Sequence, residues 1–403
     1  MATVWMLWLP SVDPLPQPAP TGLLWALLLL TFVLHLVPMN LALGGSIVAL
    51  VARWRGRDGR DPHARTLASW FAVALPTIIA ATVSFGVAPL LFVQTLYGRA
   101  LFGSSILIAW PWLSVVALVI VAYYAAYLMA FRAGDGASRT GLAAAIAGIF
   151  VVVAFIYVNN MSLMLRVAEF ESLTANGTGG WRLNADDRTL VPRFLHILVG
   201  AVAVAGAGAA LLGWLRRHRD PAFGMWAMRY GSGWTALATF ANLFFGSWWL
   251  MSLPRDVLMR FVGHDAAATT VLMLGIACAL VALMAFAAAA RAKDPAPAVR
   301  AGLMALPLVL VAMIFTRDQV RESSFALAGL GDAPWIEPQW GPIGIFAVLL
   351  VAALATIAWM LSALARGKSR RGHVFHCSIS QDLAPGQARN EGVTSFFITF
   401  RTL

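Results

Sequence analysis

Cysteine is scarce in this sequence, and no cysteine pattern for thiolate or covalent cofactor chemistry occurs. The two cysteines among 403 residues are Cys278, within an apolar run, and Cys377, near the end. Neither belongs to a CxxC or CxxCH pattern. Their positions therefore argue against covalent c-type haem, a thiolate zinc site and a disulfide framework.

Charged residues are also few, at 12% of the chain, whereas 60% of the residues are hydrophobic. A soluble domain cannot bury so much apolar surface, so the composition predicts a membrane protein surrounded by a lipid bilayer. The net charge of +11 alone is compatible with nucleic-acid binding. Its distribution along the chain instead matches membrane topology, and we expect no nucleic-acid partner.

Long apolar runs recur along the chain, and each is long enough to cross about 30 Å of hydrocarbon as a helix. They predict an all-α bundle of nine transmembrane helices without an internal repeat. The predicted spans are 22–52, 67–97, 104–131, 140–164, 192–215, 230–252, 267–290, 299–316 and 342–365. Residues 1–21 are predicted to be a retained, proline-rich lead-in, because they lack a basic segment and a cleavage site. Residues 366–403 are predicted to be a basic, disordered cytoplasmic tail.

Arginine is concentrated in alternate connections between the predicted spans. Segments such as "RWRGRDGRDPHAR" and "RRHRDPAFGMWAMR", together with the tail, hold most of the 29 Lys and Arg residues. Positively charged connections remain cytoplasmic, so the N-terminus is predicted outside and the C-terminus inside. We expect a multi-pass protein of a bacterial plasma (inner) membrane.

The interiors of the predicted spans lack Asp, Glu, Lys and Arg. Proton pumps and voltage sensors need such residues within the membrane, so both functions are disfavoured. Four charged residues lie at predicted outer ends of spans, within reach of water or headgroups: Arg193, Arg317, Asp318 and Arg321.

Two histidines, His35 and His196, do lie within predicted spans. Neutral imidazole is the usual axial ligand of haem b, so both are candidate iron ligands. A hydrogen-bonded packing role is the alternative for each. A role as proton carrier is disfavoured, because no acidic residue lies near His35 in the sequence or in any span interior.

Met273 is a candidate second ligand opposite His196. At 1.5 Å per residue, His196 lies roughly 6 Å below the outer edge and Met273 lies about 9 Å below it. His/Met ligation gives a low-spin cytochrome. Packing is the alternative role, and Met161 and Met164 compete for the same position.

Small residues follow both histidines, in "LALGGS" and "HILVGAVAVAGAGAA". They predict close helix packing, room for a flat macrocycle, or both.

Two groups at outer span ends are further candidate binding residues. Arg317 and Arg321 are one helical turn apart and are suited to haem propionates; a solvated helix end with Asp318 and Glu322 as partners is the alternative. Gln94, Tyr97 and Arg99 are candidates for binding a quinone or a propionate. The segments that carry these residues are "FTRDQVRESS" and "QTLYGR".

Several segments together resemble subunit I of the cytochrome bd-type quinol oxidases. They are "HLVPMNLALGGSIVALVARW", "ARTLASWFAVALPTIIAATVSFGVAPLLFVQTLYG", "FIYVNNMSL", "RFLHILVGAVAVAG", "DPAFGMWAMRYGSGWTALATF" and "VRAGLMALPLVLVAMIFTRDQVR". The resemblance runs in order over roughly 22–365, with the same span count and orientation. It implies a second membrane subunit and one or two b haems. By the resemblance, His35 is an axial ligand of the oxygen-site haem pair, and His196 is an axial ligand of the quinol-facing haem, with Met273 as its partner.

The sequence departs from this family at residues that serve oxygen reduction. The third span lacks the family's glutamates, and apolar residues around Ala312–Ile314 replace a glutamate of the eighth span. The long quinol-site loop shrinks to "SLPRDVLMRFVGHDA", and the arginine that precedes the ligating methionine is absent.

These observations predict a haem b-binding electron-transfer subunit that exchanges electrons with quinol or a periplasmic cytochrome. Two alternatives remain open at this stage. One is an active quinol:oxygen oxidoreductase that delivers protons without carboxylates. The other is a cofactor-free membrane scaffold or transporter, in which both histidines are packing residues.

Overall fold

The structure, a computed structural model, describes residues 16–131, 137–175, 179–329 and 335–367. Within these ranges the regular structure is helical, and nine helices are longer than 20 residues. In chain order they are α1 (Thr21–Arg55), α2 (Pro62–Leu107), α3 (Ala109–Phe131), α4 (Ala137–Leu163), α5 (Leu190–Arg216), α6 (Pro221–Ser252), α7 (Ala266–Arg291), α8 (Ala296–Leu327) and α9 (Trp340–Gly367). The predicted all-α membrane fold is confirmed.

Eight of these helices are long and apolar enough to cross a membrane. The exception among the described helices is α6, in which Gly, Ser, Thr, Asn and Trp are frequent. At 32 residues α6 has the length to cross, and it packs against both α5 and α7. Its crossing of the bilayer stays a prediction.

Five predicted helix ends were wrong by more than a turn, and two of them are the starts of α2, at Pro62 and not 67, and of α3, at Ala109 and not 104. Helix α2 continues beyond 97 to Leu107, and α8 continues beyond 316 to Leu327. Helix α6 starts before 230, at Pro221, because the Asp220 carboxylate accepts a hydrogen bond from the Phe223 amide at 3.1 Å. An acidic cap followed by proline is a strong helix start, and here it lies within a basic connection.

Two connections contain short helical segments that position the helices after them. Phe170–Thr174 lies between α4 and α5, and Arg255–Met259 lies between α6 and α7. The second connection ends at Asp265, whose carboxylate caps α7 by accepting hydrogen bonds from the amides of Ala267 and Ala268. The shortened loop predicted there is thus folded and anchored.

The chain divides into two compact units, Met1–Trp340 and Gly341–Leu403. The first unit contains α1 to α8, and the second contains nearly all of α9. Residues 1–15 of the predicted lead-in and 368–403 of the predicted tail lie outside the described residues.

Glycines in α1 and α5 bring the helices of the first unit close together. A Cβ on Gly44 would lie 2.0 Å from the Ala201 carbonyl oxygen, and one on Gly206 would lie 2.8 Å from the Gly231 carbonyl oxygen. A Cβ on Gly45 would lie 2.5 Å from the Phe71 ring. Protein atoms already fill these spaces, so close helix packing is confirmed. Room for a macrocycle is wrong at these three glycines.

Candidate functional site: two histidine sites

His35 on α1 docks against the backbone of α2. Its Nδ1 lies 3.0 Å from the carbonyl oxygen of Thr82. A carbonyl only accepts hydrogen bonds, so Nδ1 carries the proton in this geometry and Nε2 keeps its lone pair. The side chain is half-buried, and its ring lies 6.3 Å from that of Phe32.

His196 on α5 docks against α6 in the same way. Its Nδ1 lies 3.3 Å from the carbonyl oxygen of Asn242, which again assigns the proton to Nδ1. The side chain is 8% exposed, and its ring lies 5.6 Å from that of Trp249. Among the described residues, no hydrogen bond joins the Nε2 atom of either histidine to the protein. In this tautomer, Nε2 of each histidine keeps a lone pair without a hydrogen-bond partner in the described residues.

Arg193 and Trp249 form a buried donor group beside His196. The Arg193 guanidinium lies 5.1 Å from the Trp249 ring and donates from Nη1 to the Ser162 hydroxyl at 2.8 Å. Arg193 Nε and Trp249 Nε1 are buried without a hydrogen-bond partner. Unpaired buried donors are costly, which indicates that an acceptor belongs here.

Arg193 was predicted to reach water or headgroups, and this was wrong. It is 7% exposed and lies within the protein. The sequence spacing could have predicted the buried position, because Arg193 precedes His196 by three residues and both therefore lie on one face of α5.

A second polar group lies where α1 begins and α2 and α8 end, which we name the Trp25 end. The Trp25 indole donates from Nε1 to the Asp318 carboxylate at 2.7 Å, and Asp318 forms an ion pair with Arg321. Asp318 is 3% exposed and Arg321 is 9% exposed. The predicted position of both near water, and the alternative of a solvated helix end, are therefore wrong for these two residues.

Arg317 and Arg321 both contact aromatic rings at this end. The Arg317 guanidinium lies 4.5 Å from the ring of Phe32, the neighbour of His35. The Arg321 guanidinium lies 4.4 Å from the Tyr97 ring, and its Nε is buried without a hydrogen-bond partner, 3.9 Å from the Glu322 carboxylate. Arg317 thus lies beside the His35 site, whereas Arg321 belongs to the buried ion pair.

Tyr97, Gln94 and Arg99 do not form one group. The Tyr97 hydroxyl donates to the Glu322 carboxylate, at a point where α2 departs from helical geometry (φ −130°, ψ 30°). Gln94 and Arg99 are exposed. The structure therefore brings only Tyr97 towards α8.

The three candidate methionines differ in their surroundings. Met273 on α7 is 58% exposed, Met161 is half-buried, and Met164 is 2% exposed within an apolar cluster. Met164 is enclosed by the protein, whereas Met273 is open. The choice of Met273 as a ligand stays a prediction.

Polar residues between α4 and α5 hold the connection that precedes His196. Arg166 forms ion pairs with Glu169 and with Asp186, the latter at 3.1 Å, and it donates to the Asn184 amide oxygen. The hydrogen bond from Arg166 lowers the pKa of Asp186 below its usual range. Asn184 is fully buried, and its amide nitrogen donates to Asp187. This network fixes the start of α5 and hence the position of its histidine.

Comparisons with known proteins establish the fold. No protein-family model matches the sequence, and no curated protein matches it significantly. Among solved structures, the bd oxidase from Geobacillus thermodenitrificans is similar, with a TM-score of 0.64 and 12% sequence identity. The similarity covers 89% of this chain and 100% of that chain. The resemblance noted from the sequence is thus confirmed as a distant relationship in fold and in multi-pass membrane character.

Proposed function

We propose that this chain is a haem b-binding electron-transfer subunit of a respiratory complex in a bacterial plasma membrane. It would exchange electrons with quinol or a periplasmic cytochrome and would work with a second membrane subunit. One observation carries the proposal: His35 and His196 both direct their only N–H at a backbone carbonyl, which leaves Nε2 free. A backbone carbonyl on the second nitrogen is the usual partner of a metal-binding histidine.

The residues around His196 fit a haem b by their donor chemistry. The unpaired donors Arg193 Nε and Trp249 Nε1 suit the carboxylates of a porphyrin. Arg317, beside the His35 site, offers a similar cation. A packing role alone explains the histidine hydrogen bonds but leaves these buried donors without acceptors.

The protein contributes ligation, charge and exclusion of water at the proposed site. A bound haem supplies a reversible one-electron iron couple. His196 Nε2 and the Met273 thioether are the groups that would hold the iron. Arg193 would hold a carboxylate and stabilise the reduced state, because it adds positive charge in a buried environment.

Optical spectra of the purified protein test the proposal. Reduced-minus-oxidised spectra should show a b-type band, and His196→Ala should remove the low-spin signal. His35→Ala should remove a separate haem signal. His264→Ala, at an exposed position between α6 and α7, is the control and should leave the spectrum unchanged. Absence of a b-type band from the haem-supplemented wild type would overturn the proposal.

Arg193→Gln separates a cofactor role from packing. Removing this charge should lower the midpoint potential of the His196 centre by about 60 mV, equivalent to a roughly tenfold change in a one-electron equilibrium. A potentiometric titration followed at the low-spin band measures the shift. Arg219→Gln, at an exposed position between α5 and α6, should leave the potential unchanged. Equal potentials for all three proteins would contradict a carboxylate-binding role for Arg193.

A quinol:oxygen oxidoreductase is a second candidate, favoured by one observation. Helix α8 carries a buried carboxylate, Asp318, although its sequence suggested that this region was solvated. Buried carboxylates within membrane proteins often serve proton transfer. Oxygen uptake driven by a reduced quinol, abolished by His35→Ala, would support this activity. A haem-loaded wild type without uptake would exclude it.

A further inference from the structure

The two histidine sites repeat one local arrangement on different helix pairs. In each, the imidazole Nδ1 meets a backbone carbonyl oxygen: that of Thr82 for His35 and that of Asn242 for His196. In each, a glycine follows the carbonyl residue by four positions, Gly86 on α2 and Gly246 on α6. One helical turn separates carbonyl and glycine, so both lie on the helix face that meets the ring.

The glycines leave the space that the rings occupy. A Cβ on Gly86 would lie 2.9 Å from Cε1 and 3.0 Å from Nδ1 of His35. A Cβ on Gly246 would lie at the same 2.9 Å and 3.0 Å from Cε1 and Nδ1 of His196. Any larger residue would push the imidazole away from the carbonyl. The agreement between the sites shows that both rings approach their helix in the same pose.

We infer that Gly86 and Gly246 are positioning residues that fix the Nδ1-protonated tautomer of His35 and His196. Each glycine lets its ring approach the carbonyl one turn earlier, and that hydrogen bond leaves Nε2 as the lone-pair nitrogen. The use of Nε2 as an iron ligand rests on the proposed function, whereas the tautomer does not. The inference therefore has its own test on protein without haem.

Replacing either glycine with alanine should shift the ring and weaken its hydrogen bond. The two imidazole tautomers then become closer in free energy, so both nitrogens become partly protonated. Loss of such an outer partner typically costs about 10–100-fold in metal affinity. We expect haem affinity at the affected site to decrease by about 10–100-fold. The affinity of the other site should stay unchanged.

Solid-state ¹⁵N NMR of the full chain in lipid bilayers, with labelled histidine and before haem addition, reads the tautomers directly. The His35 and His196 signals are assigned from their loss in His35→Gln and His196→Gln. In the wild type both should show protonated Nδ1 and unprotonated Nε2. Gly246→Ala should alter only the His196 signals, and Gly86→Ala only those of His35. Protonated Nε2 in the wild type would overturn the inference even if neither variant folds.

Two glycines with open surroundings provide matched controls. A Cβ on Gly233, on the same helix as Gly246, or on Gly148 would meet nothing within 4 Å. Gly233→Ala and Gly148→Ala should leave the histidine spectra unchanged. If Gly246→Ala gives the same histidine spectrum as Gly233→Ala, the positioning role is wrong.

Haemin titration of the same variants separates this inference from the proposed function. Weaker binding in Gly246→Ala, with normal binding in Gly233→Ala, would support both. If the wild type shows the expected tautomers but binds no haemin, the proposed function fails and the positioning role stands. If haemin binds equally to Gly246→Ala and Gly233→Ala, and the tautomers are unchanged, the positioning role is wrong and the proposed function stands.

Discussion

At the scale of single residues, Asp318 and Arg321 form a buried ion pair. Each charge therefore stabilises the other inside the protein. Asp318 also accepts a hydrogen bond from the Trp25 indole at 2.7 Å, which ties α8 to α1. Asp318→Asn would leave the buried Arg321 guanidinium with only the partly exposed Glu322 carboxylate, 3.9 Å from its Nε, as a counter-charge. Because breaking a buried pair costs about 3–5 kcal/mol, we expect the unfolding free energy to fall by about 3 kcal/mol.

Thermal unfolding in detergent, with a double-mutant cycle, measures this effect. The double variant Asp318→Asn with Arg321→Met should be less destabilised than the two single changes added together, because both charges are removed. Exposed Arg99→Gln serves as the control. A single Asp318→Asn change no more costly than the control would show that the pair contributes little.

At the element scale, the crossing of α1 and α5 depends on glycine. Gly44→Ala would place a Cβ 2.0 Å from the Ala201 carbonyl oxygen, so the two helices must separate. Overpacking of this kind costs about 1–3 kcal/mol. Gly148→Ala, on α4, has open space and should be neutral or stabilising by up to about 1 kcal/mol, from its higher helix propensity. Equal unfolding free energies for the two variants would contradict a close contact at Gly44.

The helices and the two histidines were predictable from the sequence, whereas the partners of those histidines were not. A histidine in an apolar run stands out by composition, as His35 and His196 do. A backbone carbonyl carries no sequence signal, and Gly86 and Gly246 resemble other small packing residues. The apolar runs therefore locate the helices but not the contacts between their backbones.

The polar part of α8 escaped prediction for a different physical reason. Hydropathy ends the span at 316, because Arg317 and Asp318 raise the cost of placing this segment in lipid. In the structure the helix continues to Leu327, because the Trp25 indole and the ion pair with Arg321 compensate the Asp318 charge inside the protein. The Trp25 contact comes from a helix distant in sequence, and no local pattern reports it.

At the scale of the whole molecule, one docking geometry recurs although the sequence shows no repeat. His35 and Thr82 are 47 residues apart, and His196 and Asn242 are 46 residues apart. The helix pairs involved, α1 with α2 and α5 with α6, are the two most extensively packed pairs among the described helices. This chain, whose fold is similar to that of a bd oxidase at 12% identity, thus contains two similar histidine sites. Each site is defined by a backbone carbonyl and a glycine.

The orientation of the whole bundle in the membrane can be tested with single cysteines. The arginine-rich connections predict that the Trp25 end faces outward and that the α1–α2 connection is cytoplasmic. Replacing Cys278 and Cys377 with serine removes both native thiols. Single changes are then placed at exposed Ala185, between α4 and α5, and at exposed Arg57, between α1 and α2. The two connections lie on opposite sides of the membrane if α2, α3 and α4 all cross it.

A membrane-impermeant maleimide applied to intact spheroplasts should label Ala185→Cys and leave Arg57→Cys unlabelled. After permeabilisation both variants should be labelled, which shows that the Arg57→Cys thiol is reactive. The reverse pattern would invert the orientation. Labelling of both in intact spheroplasts would mean that an even number of helices crosses between the two positions. Because an electron donor reaches only the face it shares with the protein, the proposed exchange with a periplasmic cytochrome requires that the start of α5, which carries Arg193 and His196, faces outward together with Ala185.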